Sequence, residues 1–149
     1  MSCMSRLLWI PMILMLLVSC SKETEEISAT PEITFETISP GTVKEFADSV
    51  VIQLTYTDGD GDLGENGSGI ENAFITDSRN NLMYTFRIRQ LAPDNANVII
   101  RGKLSIVVPA VALVNSTSTS ETATFEVYIK DRAGHQSNTI TTSSVTVVP

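Results

Sequence analysis

The feature that most restricts this chain is a period of two. Val50, Ile52, Leu54 and Tyr56 occupy alternate positions. Alternate side chains of an extended chain share one face, so the spacing specifies a half-buried β-strand. The same reading predicts strands over residues 32–38, 49–57, 73–76, 82–90, 97–108, 122–130 and 138–148. Leu82, Tyr84, Phe86 and Ile88 are expected inward on the fourth, Val98, Ile100, Leu104 and Ile106 on the fifth, and Phe125, Val127 and Ile129 on the sixth. Turn clusters separate the strands, among them Ser39-Pro40-Gly41 and Asp77-Ser78-Arg79-Asn80-Asn81, whose residue types favour chain reversal. Only residues 110–114 hint at a helical turn.

Short strands spaced by roughly 8 to 12 residues, with turn signals between them, describe an all-β fold. The expectation is a seven-stranded immunoglobulin-like β-sandwich over residues 32–149, a length that suits one core. Trp9 is the only tryptophan, and neither cysteine falls within those residues, so the antibody pattern is missing. The resemblance is to fibronectin-III and cadherin-like domains. Phe35, Phe46, Phe74, Phe86 and Phe125 are expected to fill the core where an antibody domain places its tryptophan.

Directly after the alternating strand comes Asp58-Gly59-Asp60-Gly61-Asp62-Leu63-Gly64. Three carboxylates at every second position can converge on one side. At about 6 to 7 Å and an effective dielectric near 20, each pair repels by roughly 2 to 3 kcal/mol. Solvation, a nearby Arg or Lys, or a bound cation must offset that cost, and an all-oxygen set suits a hard ion such as calcium. In a sandwich of immunoglobulin order this loop and the segment 131–137 share one end. Asp131 is therefore the candidate fourth carboxylate, with Asn138 a weaker one and Glu65 and Glu71 as further donors. Counted as an EF-hand loop from Asp58, the sixth position is Leu63 and the twelfth Gly69, where glycine and glutamate are required. The stretch resembles instead the Asp-x-Asp-x-Asp loops of thrombospondin-type and bacterial sandwich proteins. Residues Asp131-Arg132-Ala133-Gly134-His135-Gln136-Ser137-Asn138 resemble the Asp-x-Ala-Gly-Asn-x-Ser-Asn turn of bacterial immunoglobulin-like domains, with His135 in place of Asn. The competing reading is a solvated turn whose Asp-Gly pairs only supply left-handed conformations.

Arg6, the apolar run over residues 7–18 and the exit Leu17-Val18-Ser19-Cys20 describe an export signal over residues 1–19, too short to span a bilayer as a helix. The last four residues resemble a bacterial lipobox, which implies that Cys20 is lipidated and anchors the protein in the membrane. An ordinary secretory signal is the alternative. Residues 20–31 are then a flexible acidic tether. Cys-Ser followed by Glu23, Glu25 and Glu26 resembles the export signal of Bacteroidota surface lipoproteins. That implies an outer-membrane lipoprotein exposed on the cell surface, with a periplasm-facing lipoprotein as the alternative. With Arg6 subtracted from the ten Lys and Arg, nine cations face 17 Asp and Glu. Such acidity argues against a nucleic-acid partner.

Catalytic signals are thin. His135 is the single histidine, and although Asp131 and Ser137 flank it, no nucleophile-elbow sequence surrounds Ser137. Asp48-Ser49-Val50 resembles the O-glycosylation sequon of Bacteroidota exported proteins, which makes Ser49 a candidate acceptor. The expected role is a non-catalytic, lipid-anchored envelope binding or scaffold module with a calcium-stabilised loop. Its partner would be an envelope protein or a glycan. A glycan-binding accessory lipoprotein of an outer-membrane nutrient importer is the alternative.

Overall fold

The structure is a computed structural model and describes residues 27–149. The expected export signal, Cys20 and the first part of the expected tether lie outside the described residues. The rest is an all-β sandwich, and no helix occurs among the described residues. Ten strands are formed: β1 (Glu32–Ser39), β2 (Thr42–Lys44), β3 (Val50–Asp58), β4 (Ala73–Asp77), β5 (Met83–Phe86), β6 (Ile100–Val108), β7 (Glu121–Ala123), β8 (Phe125–Ile129), β9 (Ile140–Thr141) and β10 (Val145–Val148).

One layer runs β1, β3, β6 and is antiparallel throughout. The facing layer runs β5, β4, β8, β9, and a third sheet of β2, β10 and β7 continues it. Two predicted strands are therefore each broken into two. The breaks fall at Thr124 and between Thr141 and Val145, where the chain passes from one sheet to the other. Thr142 spans the gap, its hydroxyl accepting from the Phe125 amide at 3.0 Å and its own amide donating to the Phe125 carbonyl at 2.9 Å. β2, which pairs parallel with β10, is an addition to the expected set. Its three residues are too few to show a period of two in sequence.

Alternation places the core where it was expected on most strands. Ile33, Ile52, Leu54, Ile106 and Val108 from one layer meet Ala73, Ile75, Phe125, Val127 and Ile129 from the other. Full burial of such side chains contributes about 1.5 to 3 kcal/mol each. β1 changes phase at a bulge between Phe35 and Thr37, which lets Ile38 return to the core side.

Several expectations fail. Of the five phenylalanines only Phe125 is fully buried, while Phe35 and Phe86 lie at the margin of the core. Phe74 stands on the outer face of β4, stacked on Tyr128 at 4.8 Å beneath the Lys130 ammonium. Phe46 is 71 % exposed in a left-handed conformation at φ 56°. Aliphatic side chains fill the space instead. Leu82 and Val98 are exposed, because the paired parts of their strands begin later, at Met83 and Ile100. Residues 110–114 form no helical turn.

The loops sort to two poles. At one, Arg79 forks onto the buried Asp77, with Nη2 to Oδ2 at 2.6 Å and Nε to Oδ1 at 3.0 Å, and reaches Glu121 and the Ala112 carbonyl. At the other, Leu63 pairs with Asp131, so the acidic loop and the segment after β8 meet as predicted.

Candidate metal centre

β3 delivers Asp58 into the interior. The residue is fully buried, and its Oδ2 accepts from the Leu63 amide at 3.0 Å, which closes the acidic loop on itself. Two left-handed glycines, Gly61 at φ 79° and Gly64 at φ 83°, make the reversals that any other residue would resist. Leu63 between them is fully buried in the core. It stands where an EF-hand needs its glycine, and here it plugs the loop into the sandwich.

Three neighbouring segments brace the loop through its backbone. The Gly59 amide donates to the Ser28 carbonyl at 3.0 Å, and the Ile27 and Ser28 carbonyl oxygens occupy the space a Cβ at Gly59 would need. The Val98 amide donates to the Asp60 carbonyl and the Leu91 amide to the Leu63 carbonyl, each at 3.3 Å. From the segment after β8, the Arg132 amide donates to the Asp62 carbonyl, the Ala133 amide to Asp62 Oδ2, and Arg132 Nη1 to the Gly64 carbonyl. The carboxylates therefore sit on a fixed frame.

Asp58, Asp60 and Asp62 each offer one carboxylate oxygen, and the three oxygens lie within 4.8 Å of one another. The Oδ1 atom of each is buried and has no hydrogen-bond partner. Among the described residues none of the three forms a salt bridge. Buried polar atoms are nearly always paired, so three unpaired carboxylate oxygens together call for a ligand. Their electrostatics agree. Burial pushes the Asp58 carboxyl up to about 6; the Leu63 amide works against this, and the charges of Asp60, Asp62 and Asp131 add to it. Asp62 is raised by burial and then by Asp131 and Asp60, opposed by the Ala133 amide and Arg132. A cluster of oxygen donors destabilised by its own charge can hold a metal ion, and a hard one suits it.

Asp131 lies against the cluster but outside the group of three. Its Oδ1 accepts from the His135 amide at 2.7 Å and its Oδ2 pairs with His135 Nδ1 at 2.8 Å. That contact raises the His135 pKa, chiefly through the hydrogen bond. Asn138, the weaker expected donor, is committed elsewhere. Its amide grips Ile33 on both sides, Oδ1 accepting from the Ile33 amide and Nδ2 donating to the Ile33 carbonyl, each at 2.8 Å. Ser137 is buried, and its hydroxyl donates to the Asn138 carbonyl and accepts from the Ile129 amide, so both of its bonds go to backbone rather than to His135. Ser49, the candidate glycosylation residue, is exposed immediately before β3.

Sequence reasoning missed the wall beside the loop. Asp60 and Asp62 open onto a cleft of about 540 Å³ whose lining is completed by Asp94, Asn95, Ala96, Asn97 and Arg132. Residues 94–97 fall in the predicted fifth strand and the loop before it, and nothing local marks them as neighbours of Asp60. No known protein family, curated protein or solved structure matches the chain.

Proposed function

We propose that this chain is a non-catalytic, lipid-anchored envelope binding or scaffold module whose acidic pole holds calcium. The carrying observation is the trio of buried, unpartnered Oδ1 atoms on Asp58, Asp60 and Asp62. Calcium is the preferred ion because every donor is oxygen and the site is partly open, which suits its flexible coordination better than the strict octahedron of magnesium. Asp131 is the fourth carboxylate in this reading and would turn from His135 to the ion. The anchor is Cys20, within the lipobox-like Leu17-Val18-Ser19-Cys20, and the proposed location is the outer membrane, facing outward.

The contact between Ser28 and Gly59 supports a mechanical role, since the tether joins the domain at the loop that would carry the ion. Ion binding stiffens that joint. A second reading, a glycan-binding accessory lipoprotein of a nutrient importer, is favoured by the polar cleft over Asp60 and Asp62.

Calorimetric titration of calcium into the purified chain tests the ion. Saturable heat and a rise in melting temperature are expected, and neither should appear in Asp60→Asn. Absence of both in the natural sequence would remove the site. Protease shaving of intact cells tests the location, with loss of the domain expected and its survival placing it on the periplasmic face.

A further inference from the structure

We infer that the cleft above the acidic loop binds a neutral, polyhydroxylated ligand, a carbohydrate, through the cation that Asp58, Asp60 and Asp62 hold. The inference rests on the cation reading above. That reading has more than an acidic cluster behind it, because Asp58 is fully buried and its Oδ1 has no partner.

Calcium takes about six to eight oxygens. Asp58, Asp60 and Asp62 contribute three unpaired ones, and with Asp131 as a fourth carboxylate two or more positions of the coordination shell are still to be filled. Asp60 and Asp62 belong both to the cation group and to the cleft lining. The open side of the ion is therefore the cleft, where water or ligand oxygens complete the shell.

Charge selects the ligand. Asp58, Asp60, Asp62 and Asp94, with Asp131 beside them, outnumber Arg132 and the His135 imidazole across this region, and a divalent ion still leaves the balance negative. A carboxylate or phosphate ligand would be repelled, whereas a neutral diol would not. Two adjacent hydroxyl oxygens can replace two coordinated waters without adding charge.

The rest of the cleft lining has the matching chemistry. Asp94 is held by Gln90, Nε2 to Oδ1 at 2.9 Å, and the Ala96 amide closes a turn onto the Pro93 carbonyl at 3.2 Å. Asn95 is fixed in a left-handed conformation at φ 60°, and the Val98 amide ties this wall to the Asp60 carbonyl. Asn95 and Asn97 line the cleft and are exposed, and their side chains make no hydrogen bond among the described residues. An amide both donates and accepts, as a hydroxyl does, and Asp94 adds an acceptor. A sugar whose paired hydroxyls face the ion meets these groups with its remaining ones.

The test is retention of the purified full chain on immobilised mannan, galactan, arabinan and xylan, with polygalacturonate as the anionic comparison, in saturating calcium and then in EDTA. The expected result is saturable binding to at least one neutral polysaccharide, released by EDTA. Asn97→Ala should weaken it by about tenfold, the loss of one or two hydrogen bonds, while leaving the calcium-induced rise in melting temperature intact. Binding that survives EDTA, or a preference for polygalacturonate, overturns the inference. So does a chain that calcium stabilises but no neutral polysaccharide retains, and in that case the cation reading stands. A melting temperature indifferent to calcium overturns both.

Discussion

At the scale of single residues, Asp58 and Leu63 set opposing demands on one short loop. Leu63 draws the loop into the core, and Asp58 must follow with a carboxylate that has lost its water. In the folded chain that carboxyl titrates near 6, against about 3.9 when unfolded. Between those values the folded state binds more protons than the unfolded one. Stability of the ion-free protein should therefore fall as pH rises through this window. Scanning calorimetry in chelator should show a higher melting temperature at about pH 5 than at about pH 7, and saturating calcium should narrow or reverse the difference. Asp58→Asn keeps an acceptor for the Leu63 amide while removing the buried charge. It should raise the chelator melting temperature at neutral pH and abolish the response to calcium. Leu63→Ala should cost about 3 kcal/mol through its cavity, measured by denaturant unfolding, and should weaken calcium binding by loosening the frame. The Asp-x-Asp-x-Asp spacing was legible in the sequence. The meaning of Leu63 was not, because a single apolar residue in a polar loop has no period to betray its burial.

At the scale of elements, side chains do backbone work wherever a strand stops short. Asn72 accepts from the Ile88 amide and donates to the Ile88 carbonyl, extending the pairing of β4 beyond the end of β5. Asn138 does the same for Ile33 on β1. Asn138→Ala should cost about 1 to 2 kcal/mol and speed hydrogen exchange at the Ile33 amide, with little effect on the opposite pole. Arg79 holds three segments together through Asp77, Glu121 and Ala112. Arg79→Ala strands a buried carboxylate and should cost about 3 kcal/mol, again read from denaturant unfolding. Strands that keep one face inward were legible, as on β3 and β8. Strands that change partner sheet were not: the threonines at those breaks have the same β propensity as the residues around them.

At the scale of the whole molecule, the acidic pole is also where residues 27–28 meet the domain. The Ser28 carbonyl rests on Gly59, so an ion that fixes the loop also fixes the point where the chain leaves the domain. Limited proteolysis within residues 27–30 should be slower in calcium than in chelator, with cleavage in the exposed loop over residues 115–120 unchanged as an internal control. The order of residues alone specifies layered β-structure, a core drawn from alternating apolar positions, and three carboxylates crowded into one loop. These are local properties, written in spacing and composition. Folding is what buries the three Oδ1 atoms without partners, sets His135 against Asp131, and brings residues 94–97 into one cleft with Asp60 and Asp62. Those facts depend on segments far apart along the chain meeting at one end of the sandwich, and burial is a property of that meeting rather than of any residue in it.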